Sequence, residues 1–73
     1  MKLAKAFRSN LQALRQKRNL TQQALADRAG ISVAYVSLLE RGERTPPLET
    51  IETLASALRV RPLDLVSRGR LSA

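Results

Sequence analysis

The stretch Leu20–Gly42, LTQQALADRAGISVAYVSLLERG, constrains the fold more than any other part of this chain. It carries two helix-start signals eleven positions apart, at Thr21 and Ser32. A Thr or Ser at such a position accepts a hydrogen bond from an amide that the first turn of a helix leaves without a partner. Leu20 precedes the first cap and can staple onto Leu25, and Ile31 precedes the second and can staple onto Val36. Gly30 lies between them, where the first helix has to stop, because glycine reaches the left-handed conformation of a helix end at little cost. The pattern predicts a helix over Gln22–Ala29 and a second from Val33 to about Arg41 that stops at Gly42.

The flanking segments extend the helical pattern. Leu3, Phe7, Leu11 and Leu14 recur at helical spacing with basic and polar residues between them, predicting a first helix over about Lys2–Lys17. In the second helix Leu25, Ala26 and Ala29 turn inward. The segment RGERTPP, Arg41–Pro47, reads as a loop, because its proline pair cannot continue a helix but suits the start of the next one. Leu48, Ile51, Leu54, Ala55 and Leu58 mark a fourth helix. Pro62 opens a short fifth helix containing Leu63, Leu65 and Val66, with a stop near Gly69 and frayed residues from Arg70 to Ala73. With no strand pattern, repeat or linker, the expected fold is all-α, a compact bundle of about five helices forming one domain over residues 1–73.

Charge and composition narrow the function. The chain has 13 Lys and Arg against 6 Asp and Glu, a net charge of +7. No acidic residue precedes Asp27, whereas Lys2, Lys5, Arg8, Arg15, Lys17 and Arg18 all do. This asymmetry suits a polyanion, nucleic acid before an acidic membrane, or else a solvated face that keeps the chain soluble. No apolar run approaches the roughly 20 residues of a membrane span. Near the N-terminus Lys5 and Arg8 break the apolar stretch that a signal peptide needs. The expected location is the cytoplasm. With no cysteine and no histidine, the usual nucleophile–base pairs and zinc sites are missing, and no glycine-rich phosphate loop is present. No catalytic residue, metal site or cofactor is expected, and the chain reads as a non-enzyme.

A short helix, a glycine turn and a second short helix make the helix-turn-helix plan, which presents its second helix to the major groove of DNA. On that second helix Val36 and Leu39 share the inward face. Val33, Ala34, Ser37, Leu38 and Arg41 fall on the opposite one. Exposed Val33 and Leu38 are unusual for a solvated stripe. They suit thymine methyl groups in a major groove, or else they cover core or a subunit contact. Ser32, besides capping, can offer its hydroxyl and adjacent amides to a phosphate. Tyr35 is either half-buried core or points its hydroxyl at the DNA backbone.

The residues LRQKRNLTQQALADRAGISVAYVSLLERGERTPPLETIETLASALRV, Leu14–Val60, resemble the Cro/C1-type (XRE-like, phage repressor-like) helix-turn-helix domains, and the flanking helices fit as well. The features that carry the likeness are the Leu-Thr-Gln start, the Ala-Gly turn, Tyr-Val-Ser, Glu-Arg-Gly and the late Leu-Ala-Ser-Ala-Leu. The resemblance implies that Gln22 bonds a DNA phosphate. It implies that Arg41, Arg44 and Thr45 lie along the backbone, and that Arg15 and Glu40 form a structural ion pair. Where the family often carries Gln, Arg or Lys, this chain has Val33, Ala34 and Leu38. Bidentate readout of guanine or adenine is therefore missing at those positions, and specificity leans on thymine methyls, DNA shape, Ser37, Arg41 and Arg44. Pro46 and Pro47 leave only the amides of Leu48 and Glu49 for a phosphate at the fourth helix. Lys2, Lys5, Arg8, Lys17 and Arg18 are assigned to long-range electrostatics or a solvated face.

The expected function is that of a sequence-specific regulator of double-stranded DNA, similar to phage repressors or restriction-modification controllers. It is expected to bind a two-fold symmetric operator as a homodimer, with half-sites about one helical turn apart. Leu63, Leu65 and Val66, with Leu71, are the expected dimer surface, unless the fifth helix instead closes the core. Two rivals stand beside this reading: an antitoxin-like regulator whose main partner is another polypeptide, and an interaction module with a degenerate recognition helix. Met1 and the lack of a trailing linker favour a stand-alone chain over a piece of a longer regulator.

Overall fold

Thr21 and Ser32 act as the caps their positions predict. Thr21 Oγ1 accepts from the Ala24 amide and Ser32 Oγ from the Tyr35 amide, both at 3.0 Å. The computed structural model describes residues 2–67. They form five helices: α1 (Lys2–Lys17), α2 (Gln22–Ala29), α3 (Val33–Glu40), α4 (Leu48–Leu58) and α5 (Pro62–Val66). No strand occurs among the described residues. The fold is an all-α bundle measuring 27 × 23 × 19 Å. At 1.5 Å per residue α1 is about 24 Å long and nearly spans it.

Each of the first four helices ends on a left-handed residue: Asn19, Gly30, Gly42 and Arg59. After each, the next amide reaches back five positions: Leu20 to Arg15 O, Ile31 to Ala26 O, Glu43 to Leu38 O and Val60 to Ala55 O, at 2.9–3.1 Å. This geometry satisfies carbonyls that the last turn leaves without intrahelical partners. The glycine stops at Gly30 and Gly42 match the sequence reading. Asn19 and Arg59 do the same work without a glycine.

The core joins Phe7, Leu11 and Leu14 of α1 to Leu25 and Ala26 of α2, Val36 and Leu39 of α3, Leu54, Ala55 and Leu58 of α4, and Leu65 of α5. The stapling residues Leu20 and Ile31 pack against its edge. Leu3 and Leu48, expected on apolar faces, are 54% and 80% exposed. Both stand in the first turn of their helices, beyond the reach of the core.

Leu65 corrects the expected subunit surface. It is fully buried within the chain, while its neighbour Leu63 is 60% exposed and Val66 half-buried. Leu65 therefore closes the core and cannot serve a second subunit. The fifth helix also ends earlier than Gly69: Ser67 already has extended backbone. Its stop is made by side chains. Asn10, 6% exposed, donates to Leu65 O at 3.0 Å and Ser67 O at 2.6 Å, and Ser67 Oγ donates to Leu63 O at 2.8 Å. Gly69, Leu71 and the Arg70–Ala73 tail lie outside the described residues.

Asn10 belongs to a wider pattern along α1. Arg8 Nη1 donates to Arg41 O at the end of α3, at 3.3 Å. Arg18 donates to Leu58 O and Arg59 O at the end of α4, at 2.9 and 3.2 Å. Helix C-termini carry partial negative charge, so a guanidinium there gains both hydrogen bonds and a favourable dipole interaction. Arg8 and Arg18 thus leave the solvated face assigned to them and tie α1 to two other helix ends. No buried side-chain nitrogen or oxygen among the described residues lacks a partner.

Candidate nucleic-acid interface

The geometry of the candidate interface starts at Glu40, the last residue of α3. Its carboxylate receives Arg15 Nε on Oε2 at 2.6 Å and Arg15 Nη2 on Oε1 at 3.1 Å. The Arg15 and Glu40 side chains are only 12% and 5% exposed, so the expected structural pair is present and buried. Arg15 Nη1 also donates to Leu20 O, just ahead of α2, at 2.8 Å. Gln22, the first residue of α2, donates from Nε2 to Glu40 Oε1 at 3.0 Å. One cluster therefore fixes α1, the start of α2 and the end of α3 against one another. The Gln22–Glu40 link is a partnership that sequence reasoning missed. The two residues stand 18 positions apart, and no local signal joins them.

Along α3 the two faces separate as expected. Val36 and Leu39 are fully buried. Val33 is 38% exposed, Ala34 is exposed, and Ser37 and Leu38 are half-buried. Neither Val33 nor Leu38 belongs to the core or to the residues packed against it, so covering the core does not explain them. Tyr35 does pack against that core. From Val33 to Arg41 the stripe runs about 12 Å at helical rise, close to the width of a major groove.

The flanking polar residues divide. Ser32 Oγ is already an acceptor for the Tyr35 amide, which leaves its hydroxyl proton free to donate. Arg41 pairs with Glu43 at 3.1 Å, both side chains being 57% exposed, so its charge is partly offset on the surface. Arg44 is exposed and joins no ion pair among the described residues. At α4 the N-cap is Pro47, with no side-chain cap, so the amides of Leu48 and Glu49 are the ones without intrahelical partners. Away from this surface, Asp64 takes the Arg61 guanidinium and the Arg61 amide at 3.0 and 2.9 Å. Those bonds hold its carboxyl below the ordinary range, the side-chain bond contributing most.

No group of three or more His, Cys, Asp or Glu residues positioned for a metal occurs among the described residues. No described helix is long and apolar enough to cross a membrane.

Comparison with known proteins gives one consistent result. The family HTH_3, Helix-turn-helix, matches residues 11–65. An uncharacterized HTH-type transcriptional regulator of Sinorhizobium fredii is 42% identical over 67 residues, 92% of this chain and 87% of that protein. The immunity repressor protein of Bacillus phage phi105 is 36% identical over 84% of this chain, which spans only 42% of the repressor's length. Among solved structures, the restriction-modification controller protein C.AhdI from Aeromonas hydrophila superposes with a TM-score of 0.80 at 38% identity, covering 82% of this chain and 91% of its own.

Proposed function

The chain belongs to the HTH_3 helix-turn-helix family of transcriptional regulators, and from that premise we propose that it binds a specific double-stranded DNA site as a homodimer. Residues 1–73 act as one DNA-binding domain. The observation that carries the reading is the outer stripe of α3. Val33 and Leu38 stand outside the core on the second helix of the motif, where apolar side chains gain nothing from water and can meet thymine methyls.

In this reading α3 lies in the major groove. Val33, Ala34 and Leu38 contact thymine methyls, Ser37 bonds a base edge, and Arg41 reaches the groove margin. Gln22 donates its second amide hydrogen to a phosphate while Glu40 holds the first. Ser32 and Tyr35 turn their hydroxyls to the same backbone, and Arg44 follows it beyond α3. The operator is two-fold symmetric with half-sites about 10 base pairs apart. Pairing two modest interfaces raises affinity through effective concentration. Leu63 and Val66 of α5 contribute to the subunit contact. The protein works in the cytoplasm and performs no catalysis.

The test is selection from a random duplex pool, followed by titration of the winning duplex and a scrambled control. A symmetric site preferred by at least about a thousandfold at moderate salt is expected. Gln22→Ala should weaken binding alike on every duplex, whereas Leu38→Ala should change the preference at one base position. The opposite assignment of effects would overturn the placement of α3. Binding that depends on salt and ignores sequence would overturn the operator itself and turn attention to a protein partner.

A further inference from the structure

Just past the end of α3, a groove of about 460 Å³ opens between α1 and the loop leading to α4. Phe7 and Pro46 contribute its apolar part, Lys5 and Arg8 one rim, and Arg44 the other. No carboxylate lines it. None of the three cations forms an ion pair among the described residues, whereas Arg15, Arg41 and Arg61 all do. Three unneutralised cations around one concave surface favour an anion.

Gly42 shapes this groove. Its φ is +74°, and a Cβ there would come within 2.9 Å of Arg8 Cδ. The missing side chain lets Arg8 lie over the turn and bond Arg41 O. That bond engages one of the five guanidinium N–H donors and leaves the others for a ligand. Arg8 stands on the α1 face that carries Arg15, about 10 Å along the helix from it, and Lys5 lies one turn further on. The groove therefore adjoins the end of α3 at Arg41, the last residue of its outer stripe.

We propose that this groove is a second seat for the DNA backbone. It takes a phosphodiester of the bound duplex between Lys5 and Arg44, with Arg8, pinned over Gly42, as a third donor. The inference rests on the DNA-binding reading above and adds two α1 residues to it.

The test compares two single variants that lower the formal charge equally: Lys5→Gln in the groove, and Lys17→Gln on the surface at the other end of α1. Lys5 and Lys17 are both exposed, so both proteins should fold. Each lost phosphate contact lowers the salt slope by about 0.9. Between 50 and 200 mM salt, the affinity of the groove variant should thus fall about 3.5-fold less than that of the wild type. The effect should be equal on selected and scrambled duplexes, with their affinity ratio unchanged. The distal variant should keep the wild-type slope. Equal slopes for the two variants, or a wild-type slope in the groove variant, would overturn the proposal. A wild type without sequence preference would instead overturn the operator reading, and the groove comparison is then read on the scrambled duplex.

Discussion

Replacing Glu40 by alanine should remove a large part of this protein's stability, and the structure allows the size to be worked out. Exposed ion pairs contribute about 0–1 kcal/mol, but the side chains here are 5% and 12% exposed. Without the carboxylate, the Arg15 guanidinium keeps only Leu20 O of its three hydrogen bonds, and Gln22 Nε2 loses its acceptor. Breaking a buried pair from one side costs about 3–5 kcal/mol. The remaining Leu20 bond and the slight exposure of Arg15 put the cost at the low end, about 3 kcal/mol. A chain of 73 residues has a total stability of about 4–11 kcal/mol. At an unfolding entropy of about 2.1 cal/mol/K per residue, 3 kcal/mol corresponds to roughly 20 °C in Tm.

The assay is thermal and urea unfolding followed by far-ultraviolet circular dichroism. The Arg15→Met/Glu40→Met double variant belongs beside it, because removing both charges leaves no buried ion without a partner. It should be more stable than the sum of the two single losses predicts, by at least about 1 kcal/mol. A Glu40→Ala loss below about 1 kcal/mol, or additivity within about 0.5 kcal/mol, would refute the reasoning.

Further outcomes are expected at four positions. Asn10→Ala should cost about 2 kcal/mol in urea melts, because the Leu65 carbonyl is left buried without its donor; Asn10→Asp should cost more at neutral pH, since it sets a carboxylate against two carbonyl oxygens. Arg59→Gly should raise stability by about 0.5 kcal/mol by relieving a left-handed backbone at φ 59°. The converse change Gly30→Ala should cost about 1 kcal/mol from backbone alone, as nothing lies within 4 Å of the added Cβ. For Asp64, the lowered folded pKa means its contribution is fully present above the unfolded value near about 3.9 and is lost as pH falls through the folded value. The gap between wild type and Asp64→Asn should therefore stay constant from about pH 7 to 5 and close below about pH 4 in urea midpoints.

The sequence by itself determined what chemistry within a few residues can specify. Thr21 and Ser32 cap the amide three positions on, Leu20 and Ile31 pack against the core, and Gly30 and Gly42 stop α2 and α3. The spacing of Val36 and Leu39 against Val33 and Leu38 divides α3 into an inward face and an outer stripe before any partner helix is known. These features depend on helix geometry alone: α1 and α2 lie over the predicted residues, α3 ends one residue before the predicted Arg41, and the apolar residues that mark the fourth helix fall within α4.

Only the tertiary structure decided the contacts between distant residues. Arg8, Asn10 and Arg18 reach carbonyls 33 to 57 positions away. In sequence they are indistinguishable from a solvated basic face, because a guanidinium has the same pattern whether it faces water or a helix end. Leu65 and Leu63 are equally apolar neighbours on one short helix, and the direction from which α1 and α4 approach α5 sent one into the core and left the other exposed. The same packing brought Gln22 onto Glu40 and set Lys5, Arg8 and Arg44 around one groove. Local propensity forms each helix, but how the helices dock determines which polar ends meet, and so which positive charges are structural and which stay exposed.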